Sequence, residues 1–523
     1  MALVRSLATV GGYTGISRIL GFVRDILIAA VVGTGAEADA FFVAFRLPNL
    51  FRRLFAEGAF NAAFVPLFAR HLEEGGQAAA KLFAEQTLSV LLSTLLLISA
   101  VAIAGMPWLM YLLAPGFTAV PEKYDLAVQF SRITFPYLLF MSLVALLSGV
   151  LNSLYRFAAA AAAPILLNIF FIVALVAIVP RIGSPGYVLS WTVACAGLGQ
   201  FVMLLYACRR AGMTFALPRP RLTPEVRRLL KLIVPGLLSA GAMQINLMVG
   251  TIIASLQAGA VSYLYYADRV YQLPLGLIGI AFGVVLLPDL ARKLRSGNEA
   301  AALERLNRGL ELSMLLTLPA AMALLVIPWP IVEVLFERGA FDRVSTDATA
   351  AALAAFALGL PAFVLIKVLQ PAFFAREDTV TPLRMALVTV ATNIVLALAL
   401  FWQLGYVGLA LATSVASWVN TVLLLLGLRR LGFLKFDATL KRRLPRVAAA
   451  SLAMALALWA GARAVQAWFD AGMAQGIAAL ALLVAGGLVL YGLLALALDA
   501  VDRKELKRLV RRRPGAASGP PQP

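Results

Sequence analysis

The sequence predicts an all-α, polytopic membrane protein with 14 transmembrane helices, built as two parallel six-helix repeats plus two C-terminal helices. Three observations predict it. The chain of 523 residues is 62% hydrophobic and 14% charged, whereas soluble domains carry about 25% charged residues. Apolar stretches long enough to cross a bilayer, which takes about 20 residues, recur from end to end. Short motifs also return, in the same order, some 220 residues later.

The expected spans are 7–32, 39–68, 82–105, 126–151, 159–180, 186–208, 229–256, 263–290, 309–331, 346–374, 384–402, 405–428, 446–465 and 475–500. Arg5 is followed by only a weak apolar run, and Arg18 and Arg24 interrupt the next one, so no cleavable signal is expected and the first helix is kept. That helix contains Gly11, Gly12, Gly15 and Gly21, which permit close packing or a bend. Pro136, Pro235 and Pro361 fall inside spans, where neighbouring groups must satisfy the carbonyls they free. Alternate loops differ sharply in charge. One set holds the basic clusters around Arg209–Lys231, Arg292–Arg308, Arg429–Arg446 and Arg503–Arg513; the other holds only Lys123, Arg181, Arg338, Arg343 and Arg463. The bias places both termini in the cytoplasm. It also gives the net charge of +19 a topological use, so nucleic acid is not expected as a partner.

The repeat is read from five matches. Pro66–Arg70 returns at Pro288–Arg292, Pro107-Trp108 at Pro328-Trp329, Asn168-Ile169 at Asn393-Ile394, Gly186–Val188 at Gly405–Val407, and Arg209–Gly212 at Arg429–Gly432. The offsets lie between 219 and 225. Six spans per repeat give both halves one orientation, and in such parallel repeats substrate sites lie at the repeat interface near the midplane. The expected organisation is an N-lobe over 1–217, a C-lobe over 218–440, two further helices over 441–502, and a basic then disordered cytoplasmic tail over 503–523.

The chemistry concentrates between Ser17 and Arg70. There Arg18, Arg24, Asp25, Glu37, Asp39, Arg46, Arg52, Arg53 and Glu57 interrupt apolar sequence. A charge at the centre of a spanning helix costs about 2.5–3.5 kcal/mol on insertion scales, so such residues turn toward partners or a watery cavity. Arg70 and Glu37 flank loops and read as interfacial charges; Arg18, Arg24 and Arg52 read as cavity residues. Neighbours on a helix point about 100° apart, so Arg46, Arg52 and Arg53 cannot all face one cavity. Cys195 and Cys208 give no disulfide framework or metal spacing, and His71 is the single histidine. No nucleotide-binding G-x-x-x-x-G-K-[ST] loop is present, which disfavours an ATP-driven pump. No catalytic residue, cofactor or metal is expected.

Five motifs carry a resemblance: Ser17-Arg18-x-x-Gly21-x-x-Arg24-Asp25, the run PNLFRRLFAEGA from Pro48 to Ala59, Tyr266-Ala-Asp-Arg269, Leu335–Phe341 (LFERGAF), and Ala375–Pro382 (AREDTVTP). With them the chain resembles the MurJ (MviN) lipid II flippases, of the multidrug/oligosaccharidyl-lipid/polysaccharide exporter superfamily, from near its N-terminus to its last helix. The resemblance implies two six-helix lobes plus two added helices in a bacterial inner membrane. It also implies alternating access that carries lipid II, the undecaprenyl-diphosphate-linked peptidoglycan precursor, from the cytoplasmic to the periplasmic leaflet. Lipid II, membrane lipids and other cell-wall synthesis proteins are the implied partners. Arg18, Arg24, Arg52 and Arg269 match cavity arginines of the family, whose planar forks suit a diphosphate. Asp25, Asp39 and Glu57 match positions read as partners of those guanidinium groups, with Arg53 and Asp268 as further supporting charges. The last two helices imply a groove for a polyprenyl tail. Some members build a sodium site on an acidic residue of helix 7; here 229–256 offers only Gln244 and Asn246, with Asn393 as a polar neighbour on helix 11, and a sodium site is not expected.

The competing readings are a drug or cation antiporter of the same superfamily, a flippase for another polyprenyl-diphosphate glycan, and a non-transporting scaffold. In the first two helices five arginines face three carboxylates, which favours an anionic substrate over a cation. The diphosphate logic does not separate the glycan flippases from one another; the motifs do.

Overall fold

The computed structural model describes residues 2–54 and 60–501, without the side chains at 2–8, 51, 53, 54, 235–240, 242, 243, 277 and 279–285. Glu57, the Arg53 side chain and the expected tail over 503–523 therefore lie outside the described residues. The described chain is helical, with no strand. Its helices are α1 (Ala2–Val32), α2 (Ala36–Leu54), α3 (Phe60–Ala104), α4 (Met106–Leu113), α5 (Pro121–Thr134), α6 (Tyr137–Ser153), α7 (Phe157–Val173), α8 (Val179–Ile182), α9 (Pro185–Arg210) and α10 (Pro224–Ser255). They continue as α11 (Ala260–Arg295), α12 (Glu299–Val326), α13 (Pro328–Phe336), α14 (Arg343–Ala357), α15 (Leu360–Phe374), α16 (Val380–Leu404), α17 (Tyr406–Arg430), α18 (Ala438–Ala464), α19 (Gln466–Asp470) and α20 (Met473–Ala497).

Among the described residues, ten helical stretches of 25 to 45 residues are long and apolar enough to cross a membrane. They correspond to the third to sixth and ninth to fourteenth expected spans. The other four expected spans are α1, α2, α10 and α11. Of these, α1, α2 and α11 carry Arg18, Arg24, Asp25, Asp39, Arg46, Arg52 and Arg269, and α10 contributes a shorter apolar run, Gln244–Ser255. In α1 and α2 the motif charges interrupt the apolar sequence, whereas in α10 and α11 only part of the span has described side chains.

The expected loop between the second and third spans is helical on both sides of Gly76, whose φ of 69° and ψ of −169° break the helix where only glycine does so without strain. Pro136 divides the fourth span into α5 and α6, and Gly359 and Pro361 divide the tenth into α14 and α15. Carbonyls freed at such points find side-chain donors. Thr134 donates at 3.2 Å to the Ala44 carbonyl, which Pro48 leaves without its helical partner in α2, and Ser414 donates at 2.7 Å to the Ala355 carbonyl at the second break.

The chain forms two compact units. The first comprises Met1–Arg269, Leu335–Thr349 and Asn393–Leu409; the second comprises Val270–Val334, Ala350–Thr392 and Ala410–Pro523. In the first unit α1 packs on α7, α2 on α5, and α3 on α6. Phe41, Phe64, Phe68, Phe130 and Tyr137 are fully buried there. In the second unit Leu286, Leu306, Val368, Leu369, Phe373 and Leu424 form one apolar cluster, and Ile327, Met454, Leu458 and Leu483 another. Glu311 ties α12 to α18 by accepting from Arg443 at 2.7 Å, with Arg308 at 2.6 Å on the same oxygen. A buried carboxylate in hydrocarbon needs such cations close by.

Close helix approach sets one test. A Cβ at Gly359 would lie 2.8 Å from the Ser414 Cα, whereas one at Gly486 meets nothing within 4 Å. Gly359→Val should lower the thermal midpoint of the detergent-solubilised protein, in keeping with overpacking costs of about 1–3 kcal/mol, while Gly486→Val should leave it unchanged.

Candidate functional site

The site is built on Asp25, near the end of α1 and 3% exposed. Arg24 folds back onto it, with Nη2 at 2.8 Å and Nε at 3.1 Å from Oδ1. The third donor of that guanidinium, Nη1, reaches Asn168 Oδ1 on α7 at 3.0 Å. The plane lies 5.4 Å from the centre of the Phe171 ring, which adds a cation–π contact. From α11, Tyr265 donates its hydroxyl to the same Asp25 oxygen at 3.1 Å. Arg269 brings Nε to 3.6 Å from the other oxygen, an ion pair rather than a hydrogen bond. The Arg269 guanidinium lies 4.6 Å from the Tyr265 ring, and that ring stacks on Phe42 at 3.9 Å. Two guanidinium groups therefore share one carboxylate. Asp268, next to Arg269 in sequence, is a second carboxylate acting on it, and the Arg269 side chain keeps 29% exposure.

A second cluster surrounds Asp39, in the first turn of α2 and fully buried. Its Oδ2 accepts from Lys123 Nζ at 2.6 Å and from the Gly259 N–H at 2.9 Å. Its Oδ1 accepts from the Ser262 N–H at 2.9 Å and the Ser262 hydroxyl at 2.5 Å. Gly259 and Ser262 flank the start of α11, whose unpaired N–H groups carry the positive end of the helix dipole. The neighbouring turns interlock as well. The Ala340 N–H donates to the Ala30 carbonyl at 2.8 Å, Tyr266 donates to the Gly33 carbonyl at 2.9 Å, and the Thr34 and Ser345 hydroxyls meet at 2.6 Å. Gly33 has φ of 68°, and a Cβ there would overlap the Ala340 carbonyl, so both conformation and space call for glycine. In the same loop the Ser345 hydroxyl and N–H hold the Asp342 carboxyl below its ordinary value.

Of the residues expected at the site, Arg24, Asp25 and Arg269 come together. Arg18 is exposed on α1. Arg52 is half-buried, and its Nε donates to Asn49 at 3.1 Å, within its own helix. Arg46 donates to Thr251 of α10. Asp268 is half-buried. Asp39 corrects an expectation: it holds an ammonium and backbone N–H groups rather than a guanidinium, because the start of α11 presents those donors beside it. Glu37 accepts from the Gly186 N–H at 2.7 Å, which fits the reading of a loop-flanking charge. Asn393 donates to Asn246 at 2.8 Å.

Four residues the sequence reading missed are Asn168, Tyr265, Lys123 and Ser262. Signals for two of them were present: Lys123 is one of only five cations in its set of loops, and Asn168 marks the repeat. Among the described residues, no group of three or more His, Cys, Asp or Glu is placed to hold a metal ion.

An all-helical, multi-pass chain in which α1, α7 and α11 share a charged cluster defines a polytopic membrane protein with a polar site among its spans. The chain belongs to the lipid II flippase MurJ family, whose model matches residues 28–478. It is 47% identical over 525 residues to the "Probable lipid II flippase MurJ" of Rhizobium meliloti (strain 1021), covering 99% of this chain and 98% of that one. It is 39% identical over 441 residues to the "Lipid II flippase MurJ" of Burkholderia cenocepacia, covering 83% and 85%. In fold it is similar to a solved lipid II flippase MurJ in an inward closed conformation, with a TM-score of 0.77 and 24% identity over 96% of this chain and 99% of that one. It is also similar to an inward-facing multidrug resistance MATE family transporter, with a TM-score of 0.67 and 16% identity over 80% and 94%.

The Asp39 cluster yields a stability test. Removing one member of a buried pair strands the other, at about 3–5 kcal/mol. Lys123→Met should therefore lower the thermal midpoint more than Lys123→Met combined with Asp39→Asn, measured on purified protein. A double variant less stable than Lys123→Met alone would contradict the pairing.

Proposed function

We propose that this chain moves lipid II from the cytoplasmic to the outer leaflet of the bacterial inner membrane by alternating access, with no catalytic step of its own. The observation that carries the reading is the sharing of Asp25 by Arg24 and Arg269. Two guanidinium groups at one place suit a diphosphate that must give up water, since arginine forks bind phosphate bidentately and stay charged. Arg18 and Arg52 are read as further substrate arginines, with Asp25, Asp268, Arg53 and Glu57 in support. The lobes are read as 1–217 and 218–440, six spans each. The helices within 441–502 form the tail groove, and both termini lie in the cytoplasm, for 14 spans in all. Other cell-wall synthesis proteins are candidate partners.

The Asp39 cluster and the interlocked turns at Gly33 and Ala340 are read as the closed outer gate. Access from outside requires Gly259, Ser262 and Lys123 to release Asp39 to water. Transport then alternates between a state with these bonds made and one with them broken.

Two measurements test the reading. Arg24→Ala or Arg269→Ala should abolish lipid II flipping in cells depleted of the native protein, with membrane abundance unchanged; scoring which leaflet holds lipid II decides it. Thr34→Cys combined with Ser345→Cys, in a background lacking Cys195 and Cys208, should crosslink under oxidation and stop transport until reductant is added. Normal flipping by the locked protein would rule out the gate.

The driving force follows from charge. Moving an anion outward across an inside-negative membrane is downhill by about 2.3 kcal/mol per charge per 100 mV. Return of the empty, net-positive site toward the cytoplasm is favoured by the same field. Reconstituted protein should flip faster under an imposed inside-negative potential without sodium. Strict dependence on a sodium gradient, with no response to voltage, would refute this coupling.

A further inference from the structure

We propose that Asn168 of α7 is a positioning residue that fixes the Arg24 guanidinium for the substrate phosphate; this rests on the reading of Arg24 as a substrate group. Asn168 is 4% exposed, and both ends of its amide are used. Oδ1 accepts from Arg24 Nη1 at 3.0 Å, and Nδ2 donates to the Ser17 carbonyl at 2.9 Å. The carbonyl requires a donor and the guanidinium an acceptor, so the amide has one orientation. One side chain thus holds α1 at two points seven residues apart and sets where the Arg24 fork points. Asp25 takes Nε and Nη2, Asn168 takes Nη1, and Phe171 supports the plane. A guanidinium held on three sides has little rotamer freedom left to lose when it meets an anion.

The second repeat supplies an internal comparison. Offsets of 222 and 225 place Asn246 opposite Arg24 and Asn393 opposite Asn168, both inside the range of the sequence matches. The structure bonds that second pair too, from Asn393 Nδ2 to Asn246 Oδ1 at 2.8 Å. The contact between the first and fifth spans is therefore made twice, but its polarity differs. Asn168 presents its oxygen to a cation, whereas the Asn393 oxygen is buried without a hydrogen-bond partner among the described residues. A packing amide would serve equally in both halves. Only in the first half is the acceptor spent on an arginine, so the fold's shared contact is there adapted to aim a charge.

The test uses the full chain in detergent, with lipid II as the probe. Asn168→Leu keeps the side-chain size and removes the acceptor; it should weaken lipid II binding about tenfold, the effect of losing one hydrogen bond to a charged group. The thermal midpoint and membrane yield should stay near the parent's. Asn168→Asp, which keeps Arg24 held but neutralises it, should weaken binding at least as much. Because Asn168 acts through Arg24, adding Asn168→Leu to Arg24→Ala should cause no further loss. Parental affinity in Asn168→Leu or Asn168→Asp, or additive losses in the double variant, would overturn the proposal. Parental affinity in Arg24→Ala would show instead that the reading of Arg24 as a substrate group is wrong, and this role for Asn168 would go with it.

Discussion

Asp39 is a carboxylate with no exposure, held by four donors at 2.5 to 2.9 Å from Lys123, Gly259 and Ser262. In an apolar slab a carboxylate has no substitute for those donors except water. The bonds therefore behave as a set: breaking one leaves a charge short of partners, and breaking all of them requires water to enter. That makes the start of α11 and the first turn of α2 a two-state contact rather than a yielding one. The alignment of Gly33 with Ala340 follows from it, because those turns pass too closely for a Cβ.

Asp25 obeys the same constraint with a different outcome. It is buried like Asp39, but its partners are two guanidinium groups and a phenol hydroxyl rather than one ammonium and backbone N–H groups. Asp39 ends neutral as a pair with Lys123. Asp25 is shared by two guanidinium groups, with Asp268 beside Arg269 as a second carboxylate. The arginines do not need the ligand to stay folded, since the carboxylate, Asn168, Phe171 and Tyr265 already hold them. One carboxylate thus ties the first turn of α2 to the start of α11, and the other ties α1 to α11.

Much of the fold was legible because hydropathy reports bilayer crossing directly. Ten expected spans return as long apolar helices, and the breaks at Pro136 and Pro361 fall where the proline removes a donor. The loop between the second and third spans was misread, because nothing local distinguishes a polar helical extension from a loop until Gly76 breaks it. At the site, Arg24, Asp25 and Arg269 were legible as charges too costly to face lipid. Their partners were not. Whether Asn168 meets Arg24 depends on the rotation of α7 against α1, and whether Lys123 reaches Asp39 depends on how α5 lies on α2. Both are properties of packing between segments 84 and 144 residues apart. Asp39 was assigned an arginine because the sequence displays side chains, while two of its four donors are backbone N–H groups, which every residue but proline carries.

One kind of interhelical contact occurs twice with different charge. Asn168 joins α7 to α1 and Asn393 joins α16 to α10, each through its side-chain amide. Arg24 stands in the first of these contacts and Asn246 in the second, so only the first carries a charge. The site is asymmetric in its parts as well: α1 supplies Arg24 and its carboxylate, and α11 supplies Arg269 and the donors at its start.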